Sequence, residues 1–173
     1  ATRVGSLIND ADIARAIKLN PVTSKNYRIL LQGMFLSFDV QPWFRNLGKR
    51  LTKSVKIYLV DTVLLCFLLG MRIEQIKENR PELFGHVLEN FVATELLKLL
   101  SFSSIKAKLN HFRTADNIEV DFILEHGTRV VGVEVKASSR VSESDFKGLK
   151  VLQKLIKEDF IGGVVLYLSL IHI

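Results

Sequence analysis

Two short runs of alternating apolar and polar residues, separated by a tight turn, constrain this fold more than any other feature of the sequence. They are residues 117–124 and 129–137. Successive side chains of a β-strand point to opposite faces, so the alternation predicts two strands, and the turn predicts an antiparallel hairpin. Asp121 on the first strand and Glu134 on the second are then expected to lie side by side.

Charged side chains share faces of this predicted hairpin. On the first strand, Glu119, Asp121 and Ile123 alternate with an apolar face. On the second strand, Glu134 and Lys136 lie on one face, opposite a row of valines. The hairpin is therefore expected to present carboxylates and an ammonium group together.

A long amphipathic helix is predicted before the hairpin, over residues 83–100, because its apolar residues recur at helical spacing. These residues are Phe84, Val87, Leu88, Phe91, Val92, Leu96 and Leu99. Glu89 falls close to the apolar stripe, where a carboxylate costs free energy unless a positive group meets it. Glu89 is therefore a candidate for the same site.

The chemistry of these candidates follows from their charges. Neighbouring carboxylates repel each other unless a proton or a cation lies between them, and such oxygen ligands suit Mg²⁺ or Mn²⁺. A nearby lysine can position or deprotonate an attacking water and stabilise charge that develops on a phosphate. Glu89, Asp121, Glu134 and Lys136 thus predict a metal-dependent phosphodiesterase site in which the three carboxylates hold the metal. A solvated, salt-bridged strand face is the alternative.

Positive charge is concentrated in the first third of the chain. Residues 1–60 hold ten Lys or Arg against three Asp, a net of +7, whereas the remainder holds 14 basic and 15 acidic residues. This asymmetry is typical of a polyanion-binding module joined to a neutral one. A solvated basic face is the other interpretation.

The same third predicts a winged helix-turn-helix over residues 1–60. A first helix is capped by Asn9 or Asp10 and broken at Asn20-Pro21. A second helix is capped within residues 23–24, and its predicted inner stripe is Tyr27, Leu30, Leu31 and Met34. Two β-rich runs, residues 35–40 and 55–60, then flank a basic connector that predicts a wing.

DNA is the partner expected for this region, because basic and amide side chains contact phosphates and bases. The candidate DNA-binding residues are Lys25, Asn26 and Arg28 on the second helix, and Arg45, Lys49, Arg50 and Lys53 in the wing. Many winged helices serve only as protein-binding adaptors, so a protein partner is the alternative.

The remaining segments predict a connecting helix and hinge over residues 61–82 and a nuclease-like unit over residues 83–167, which ends in a buried strand at 163–167. The closing hexapeptide, residues 168–173, matches one reading frame of a common sequencing adapter and is expected to be adapter-derived.

Composition narrows the class of protein. A lone cysteine, Cys66, excludes a disulfide-stapled secreted fold. The longest apolar stretch, residues 63–71, is far shorter than the roughly 20 residues that span a bilayer. A cytoplasmic protein without a membrane partner is therefore expected.

The candidate site resembles that of the PD-(D/E)XK nuclease superfamily, whose core is a helix, a hairpin, then a helix and a further strand. Glu89 matches the acid on the helix, Asp121 the metal-binding aspartate, and Glu134-Val135-Lys136 the acid-x-Lys element. The resemblance implies a restriction-endonuclease-like α/β core with Mg²⁺ or Mn²⁺ as cofactor. Some members of this fold bind DNA without cutting it, so an inert binding module is the alternative.

Several motifs resemble, more closely, a prokaryotic domain of unknown function that lies C-terminal to an AAA+ ATPase module. They are residues 85–92, 112–113, 119–122 and 133–138, together with Lys56, Tyr58, Asp61, Thr62 and Leu64 of a Lys-x-Tyr-x-x-Asp-Thr-Gly-Leu motif. The chain departs from that motif at Val63, where the family usually has glycine. The resemblance implies an ATPase module in cis that alone binds ATP, and an oligomer is possible.

Overall fold

A six-stranded mixed β-sheet forms the framework of residues 1–44 and 54–168, which are the residues that this computed structural model describes. The strands are β1 (Ser37–Pro42), β2 (Lys56–Leu59), β3 (Lys108–Arg113), β4 (Glu119–His126), β5 (Arg129–Lys136) and β6 (Phe160–Tyr167). They lie in the order β2-β1-β3-β4-β5-β6. β1 is parallel to β3 and β5 is parallel to β6, whereas the other neighbours are antiparallel. The predicted mixed α/β class and the predicted β4–β5 hairpin are confirmed.

Six α-helices accompany the sheet within the described ranges. They are α1 (Asp10–Ala16), α2 (Pro21–Gly33), α3 (Thr62–Leu69), α4 (Ile73–Asn79), α5 (Pro81–Phe102) and α6 (Lys147–Ile156). Two 3₁₀ turns, Glu143–Phe146 and Lys157–Asp159, flank α6. The connecting helix predicted within residues 61–82 corresponds to α3, and the helix predicted over 83–100 corresponds to α5.

Side-chain caps explain where the first helices begin. The Asn9 side chain accepts a hydrogen bond from a backbone N–H of α1, which starts where predicted. α2 starts at Pro21 rather than after a cap within residues 23–24, because Asn20 caps it and proline is favoured at the first helical position. Proline begins this helix as well as ending the segment before it.

The two longest helices of the second half pack on opposite faces of the sheet. Val133 packs on the α5 side, whereas a Cβ on neighbouring Gly132 would lie 2.5 Å from the Leu149 side chain of α6. The α5-side core comprises Val4, Val40, Tyr58, Leu65, Ile76, Phe84, Val87, Val92, Ala93, Phe122 and Val133. The α6-side core comprises Trp43, Phe112, Val120, Ile123, Val130, Leu149, Leu152 and Ile156.

Glycine allows α6 to approach the sheet closely. A Cβ on Gly148 would lie 1.9 Å from the backbone oxygen of Glu119. Because real Cβ atoms do not approach a backbone oxygen so closely, only glycine fits here without moving the helix. This contact fixes α6 against β4 beside the candidate site.

Three predicted segments differ from the structure. The predicted hinge contains α4, whose Ile76 is fully buried in the α5-side core. The predicted buried strand at 163–167 is the end of β6, an edge strand on which Val164 and Tyr167 are each 47% exposed. The predicted inner stripe of α2 is also wrong, because its members, Tyr27, Leu30, Leu31 and Met34, are 42–65% exposed.

A β-bulge interrupts β4 at the candidate site. One residue of β3, His111, lies opposite two residues of β4, Asp121 and Phe122, so the alternation of β4 changes phase there. Val120 and Ile123 both pack in the α6-side core as a result. The predicted face shared by Asp121 and Ile123 is therefore not formed.

The remaining predictions concern membrane-spanning helices, the wing and the C-terminal tail. No helix in residues 1–44 and 54–168 has the length and apolar character needed to cross a bilayer. The predicted wing residues 45–53 lie outside the described residues. So does the predicted tail except Leu168, whose backbone N–H donates to the Ser138 carbonyl oxygen at 3.1 Å.

Candidate active site

A row of polar and charged side chains, most of them buried, crosses the sheet and is drawn from four elements. Its members are Lys56 and Tyr58 on β2, Glu89 on α5, Asp121 on β4, and Glu134 and Lys136 on β5. We call the part around Lys56, Tyr58 and Glu89 the closed end, and the part around Glu134 and Lys136 the open end. Asp121 lies between the two.

The closed end is held by Lys56. Its Nζ donates to Oε1 of Glu89 at 2.9 Å and to Oδ1 of Asp121 at 3.3 Å. The Tyr58 hydroxyl donates to the same Glu89 Oε1 at 2.7 Å. Because the Lys56 side chain is only 3% exposed, these carboxylates, rather than water, compensate its charge.

Burial and pairing act against each other on the pKa values at this end. Burial lowers the pKa of Lys56, but Glu89 and Asp121 outweigh it, so the pKa is raised and the ammonium form persists. Burial raises the pKa of Glu89 to about 7; Lys56 lowers it and the Asp121 charge raises it. The closed end therefore combines a permanent cation with a glutamate that can exchange a proton near neutral pH.

Asn90 explains why β2 lies against α5 in this register. Its side-chain oxygen accepts the backbone N–H of Leu59 at 2.8 Å, and its side-chain nitrogen donates to the Leu59 carbonyl oxygen at 3.2 Å and to Thr62 Oγ1 at 3.1 Å. Asn90 directly follows Glu89, and it is fully buried. The amide thus joins β2 to the helix that carries Glu89, and Lys56 and Tyr58 face that glutamate.

The open end contains an acceptor that the chain leaves unpaired. Glu134 Oε1 accepts from Lys136 Nζ at 2.7 Å, whereas Oε2 is buried and has no hydrogen-bond partner among the described residues. Asp121 Oδ2 accepts the backbone N–H of Val135 at 2.9 Å. Burial, followed by the charge of Asp121, raises the pKa of Glu134 to about 7, against Lys136. The predicted proximity of Asp121 to Glu134, and of Glu134 to Lys136, is confirmed.

A divalent cation needs oxygen ligands that converge on one point. In residues 1–44 and 54–168, no group of three or more His, Cys, Asp or Glu side chains has the arrangement of a metal site. The three predicted ligands therefore do not converge, because Lys56 lies between Glu89 and Asp121. Two carboxylates still suit Mg²⁺, which commonly takes one or two together with water and a substrate phosphate. Asp121 and Glu134, with the unpaired Glu134 Oε2, fit that smaller set.

The predicted DNA-binding residues fall into three groups. Lys25 and Asn26 are exposed on α2. Arg28 is largely buried and pairs with Asp10 at 3.2 Å and with Asp39 at 2.5 Å, so its charge is already compensated within the chain. The other candidates, Arg45, Lys49, Arg50 and Lys53, lie outside the described residues.

Sequence reasoning missed the role of Lys56, Tyr58 and His111 at the site. The Lys-x-Tyr motif singled out Lys56 and Tyr58, but it does not show which distant residues their side chains contact. His111 is fully buried, and its Nε2 lies 3.0 Å from the Ser54 carbonyl oxygen. Burial, and then the charge of Lys56, lowers the pKa of His111 to about 4, so the imidazole is neutral at pH 7.

Comparison with known proteins matches both halves of the chain to domains of unknown function. A family model described as a domain of unknown function (DUF4143) matches residues 84–172, which include most of α5 and the whole open end. A second domain of unknown function (DUF8612) matches residues 1–75, which include Lys56 and Tyr58. The predicted resemblance to a domain of unknown function is confirmed.

Two curated relatives are similar over most of the chain. An uncharacterized protein of Mycobacterium bovis and one of Mycobacterium tuberculosis are each 35% identical over 140 residues, which cover 81% of this chain. The matched part spans only 31% of each relative. No solved structure matches the chain.

Proposed function

The chain belongs to the DUF4143 family, and from that premise we propose that it is a metal-dependent nuclease-like domain that acts on DNA. The observation that carries the proposal is the open end. A buried Glu134 oxygen with no hydrogen-bond partner in residues 1–44 and 54–168 stands beside Asp121 on the neighbouring strand, with the Lys136 ammonium on the other Glu134 oxygen. An unsatisfied buried acceptor costs free energy, so its retention is best explained by a cation that binds there.

Each residue has a role in this proposal. Asp121 and Glu134 would hold Mg²⁺ or Mn²⁺, which would polarise a phosphate oxygen and lower the pKa of a bound water. Lys136 is about one-third exposed, so it reaches the solvent side, where it can orient a water and offset charge on the phosphate. Glu89 contributes through Lys56, which links it to Asp121.

The setting of the domain is part of the proposal. The winged helix would present Lys25 and Asn26 to DNA, supported by their exposure and by the +7 charge of residues 1–60. The AAA+ module in cis would lie in the part of a longer protein that this chain does not represent, consistent with its covering about a third of its relatives. We also propose that the protein forms an oligomer and is located in the cytoplasm.

A second function is favoured by one observation. Lys56 occupies the position between Glu89 and Asp121 and compensates both charges, as a structural ion pair would. On this reading the nuclease-like fold is inert, and together with the winged helix it binds DNA or a protein partner.

The test is cleavage of supercoiled, single-stranded and branched DNA in Mg²⁺ or Mn²⁺, with EDTA as the blank. We expect Glu134→Gln and Lys136→Met each to lower the cleavage rate at least 100-fold while DNA binding persists. Glu95→Gln is the matched control, because Glu95 is a half-buried glutamate on α5 that pairs only with Lys98 among the described residues. If the unmodified chain binds DNA but cleaves none of the substrates, the second function replaces the first.

A further inference from the structure

We propose that the Lys56 ammonium is a built-in substitute for a second metal ion, so that this site takes a single divalent cation, on Asp121 and Glu134. The inference rests on the proposed function only for the presence of that cation. It concerns how many ions the carboxylates can hold and which of them are ligands.

The first argument is position. Nuclease sites with two divalent ions need a carboxylate that bridges the ions, and the ions lie roughly 4 Å apart. Here Asp121 is the central carboxylate, and the place of a second ion between it and Glu89 is filled. Lys56 Nζ lies 2.9 Å from Glu89 Oε1 and 3.3 Å from Asp121 Oδ1. A divalent ion that bridged the same oxygens would collide with the ammonium group.

The second argument is that groups of this chain surround the Glu89 carboxylate. Its Oε1 accepts from both Lys56 and Tyr58. Its Oε2 is covered by the backbone of Gly5, because a Cβ on Gly5 would lie only 3.0 Å from that oxygen. The His86 ring is 3.9 Å from the same oxygen. Glu89 Oε1 thus has two donors, and Oε2 has the Gly5 backbone and the His86 ring beside it, whereas Glu134 Oε2 is buried without a hydrogen-bond partner among the described residues.

The third argument is that Lys56 cannot easily leave. The N-terminal segment pairs antiparallel with the outer edge of β2, where the Gly5 N–H donates to the Ile57 carbonyl oxygen at 2.9 Å and the Ile8 N–H donates to that of Val55 at 2.8 Å. With Asn90 holding the other end of β2, the strand is fixed on both sides. A lysine with 3% exposure on a fixed strand provides a permanent charge rather than a mobile one.

Manganese stoichiometry tests the inference. Isothermal titration of the whole chain with Mn²⁺ alone, free of nucleic acid, is expected to show one ion per chain. Glu134→Gln should weaken that binding at least tenfold, because it removes a ligand. Glu89→Gln, which has the same shape and charge change, should alter the affinity less than threefold. Two ions on the unmodified chain, none at all, or an equal loss in both variants would overturn the inference.

Lys56→Met then tests the substitution itself, because methionine keeps the length of the side chain without the charge. We expect a second Mn²⁺ to bind, or the first to bind at least tenfold more tightly. Unchanged stoichiometry and affinity in a folded variant would overturn the inference. If the variant does not fold, as circular dichroism would show, the Glu89→Gln and Glu134→Gln pair still decides. One bound Mn²⁺ without DNA cleavage would refute the proposed nuclease and support this inference.

Discussion

Glu89 and Glu134 are two buried glutamates on either side of Asp121, and burial raises the pKa of each to about 7. They differ in their partners. The chain supplies two donors to Glu89 Oε1 and places Gly5 and His86 beside Oε2, whereas Glu134 has one donor on Oε1 and a buried Oε2 without a hydrogen-bond partner in the described structure. Similar burial and a pKa raised in the same direction therefore do not imply equal roles. The end that the chain completes is suited to stability, and the end that it leaves open is suited to a ligand.

Substitution of Lys56 should produce the largest difference in stability between the two ends. Lys56→Ala leaves Glu89 and Asp121 buried without their counter-charge, and removal of one partner of a buried ion pair costs about 3–5 kcal/mol. Lys136→Ala is the matched control, because that lysine is one-third exposed and pairs with Glu134; we expect about 1 kcal/mol or less. Urea unfolding curves measure both free energies. Equal losses would mean that the two ends do not differ.

Acid sensitivity provides the next test of the closed end, through His111. The pKa of His111 is lowered from 6.5 to about 4 in the folded state, so the unfolded chain takes up the proton first. The stability that this histidine contributes is complete above pH 6.5 and is lost as the pH falls to 4, a change of at most about 3 kcal/mol.

Unfolding free energies of the unmodified chain and of His111→Gln, measured from pH 7.5 to pH 4.5, should show a shallower decline in the variant. Because Lys56 contributes to the lowered pKa, Lys56→Met should raise the pKa of His111, whereas Glu134→Gln should leave it within about 0.3 of a unit. NMR titration of the imidazole measures this directly. A pKa that responds equally to both substitutions would contradict the contrast between the ends.

Removal of the Glu134 charge at the open end should stabilise the metal-free chain. Glu134→Gln removes a buried charge beside Asp121 and can place an amide donor where the oxygen without a described partner stood, so we expect the metal-free chain to gain about 1 kcal/mol at pH 8. Thermal unfolding in EDTA measures the change, and Glu95→Gln should stay within about 0.5 kcal/mol of the unmodified chain. A clear loss of stability in Glu134→Gln would assign this glutamate to the structure rather than to a ligand.

The parts of the molecule that the sequence predicted are those governed by local periodicity and capping. The 3.6-residue spacing of α5, the alternation of the hairpin and the Asn9 cap all translate directly into structure. The pairing of Glu134 with Lys136 follows from the same alternation. These features depend on residues within a few positions of one another, which is why one sequence is enough to see them.

The parts that could not be predicted depend on contacts between distant segments. Lys56 is 33 positions from Glu89 and 65 from Asp121, and only the sheet order β2-β1-β3-β4 brings them together. The β-bulge at Asp121 and Phe122 arises from the pairing with β3, a strand that the hairpin pattern does not reveal. The apolar side chains of α2 are exposed because no other element covers them in the described structure, and helical periodicity alone does not show whether a stripe is covered.

Two basic residues of α2 also differ in whether their charge is paired within the chain. Arg28 is enclosed by Asp10 and Asp39, whereas Lys25 is exposed one turn away. Arg28→Ala should cost about 1–2 kcal/mol of unfolding free energy, because it leaves two partly buried carboxylates without their partner. Lys25→Ala should change stability by less than about 0.5 kcal/mol.

If α2 faces DNA, the two substitutions should exchange their order of effect in binding. Lys25→Ala would weaken affinity by a few-fold and reduce the slope of log affinity against log salt by about one, as expected for one lost phosphate contact. Arg28→Ala, measured well below its unfolding transition, would leave that slope unchanged because its charge is already neutralised within the fold. Fluorescence anisotropy on a labelled duplex across 50–200 mM salt separates these outcomes. An identical slope for Lys25→Ala and the unmodified chain would remove Lys25 from the proposed DNA surface.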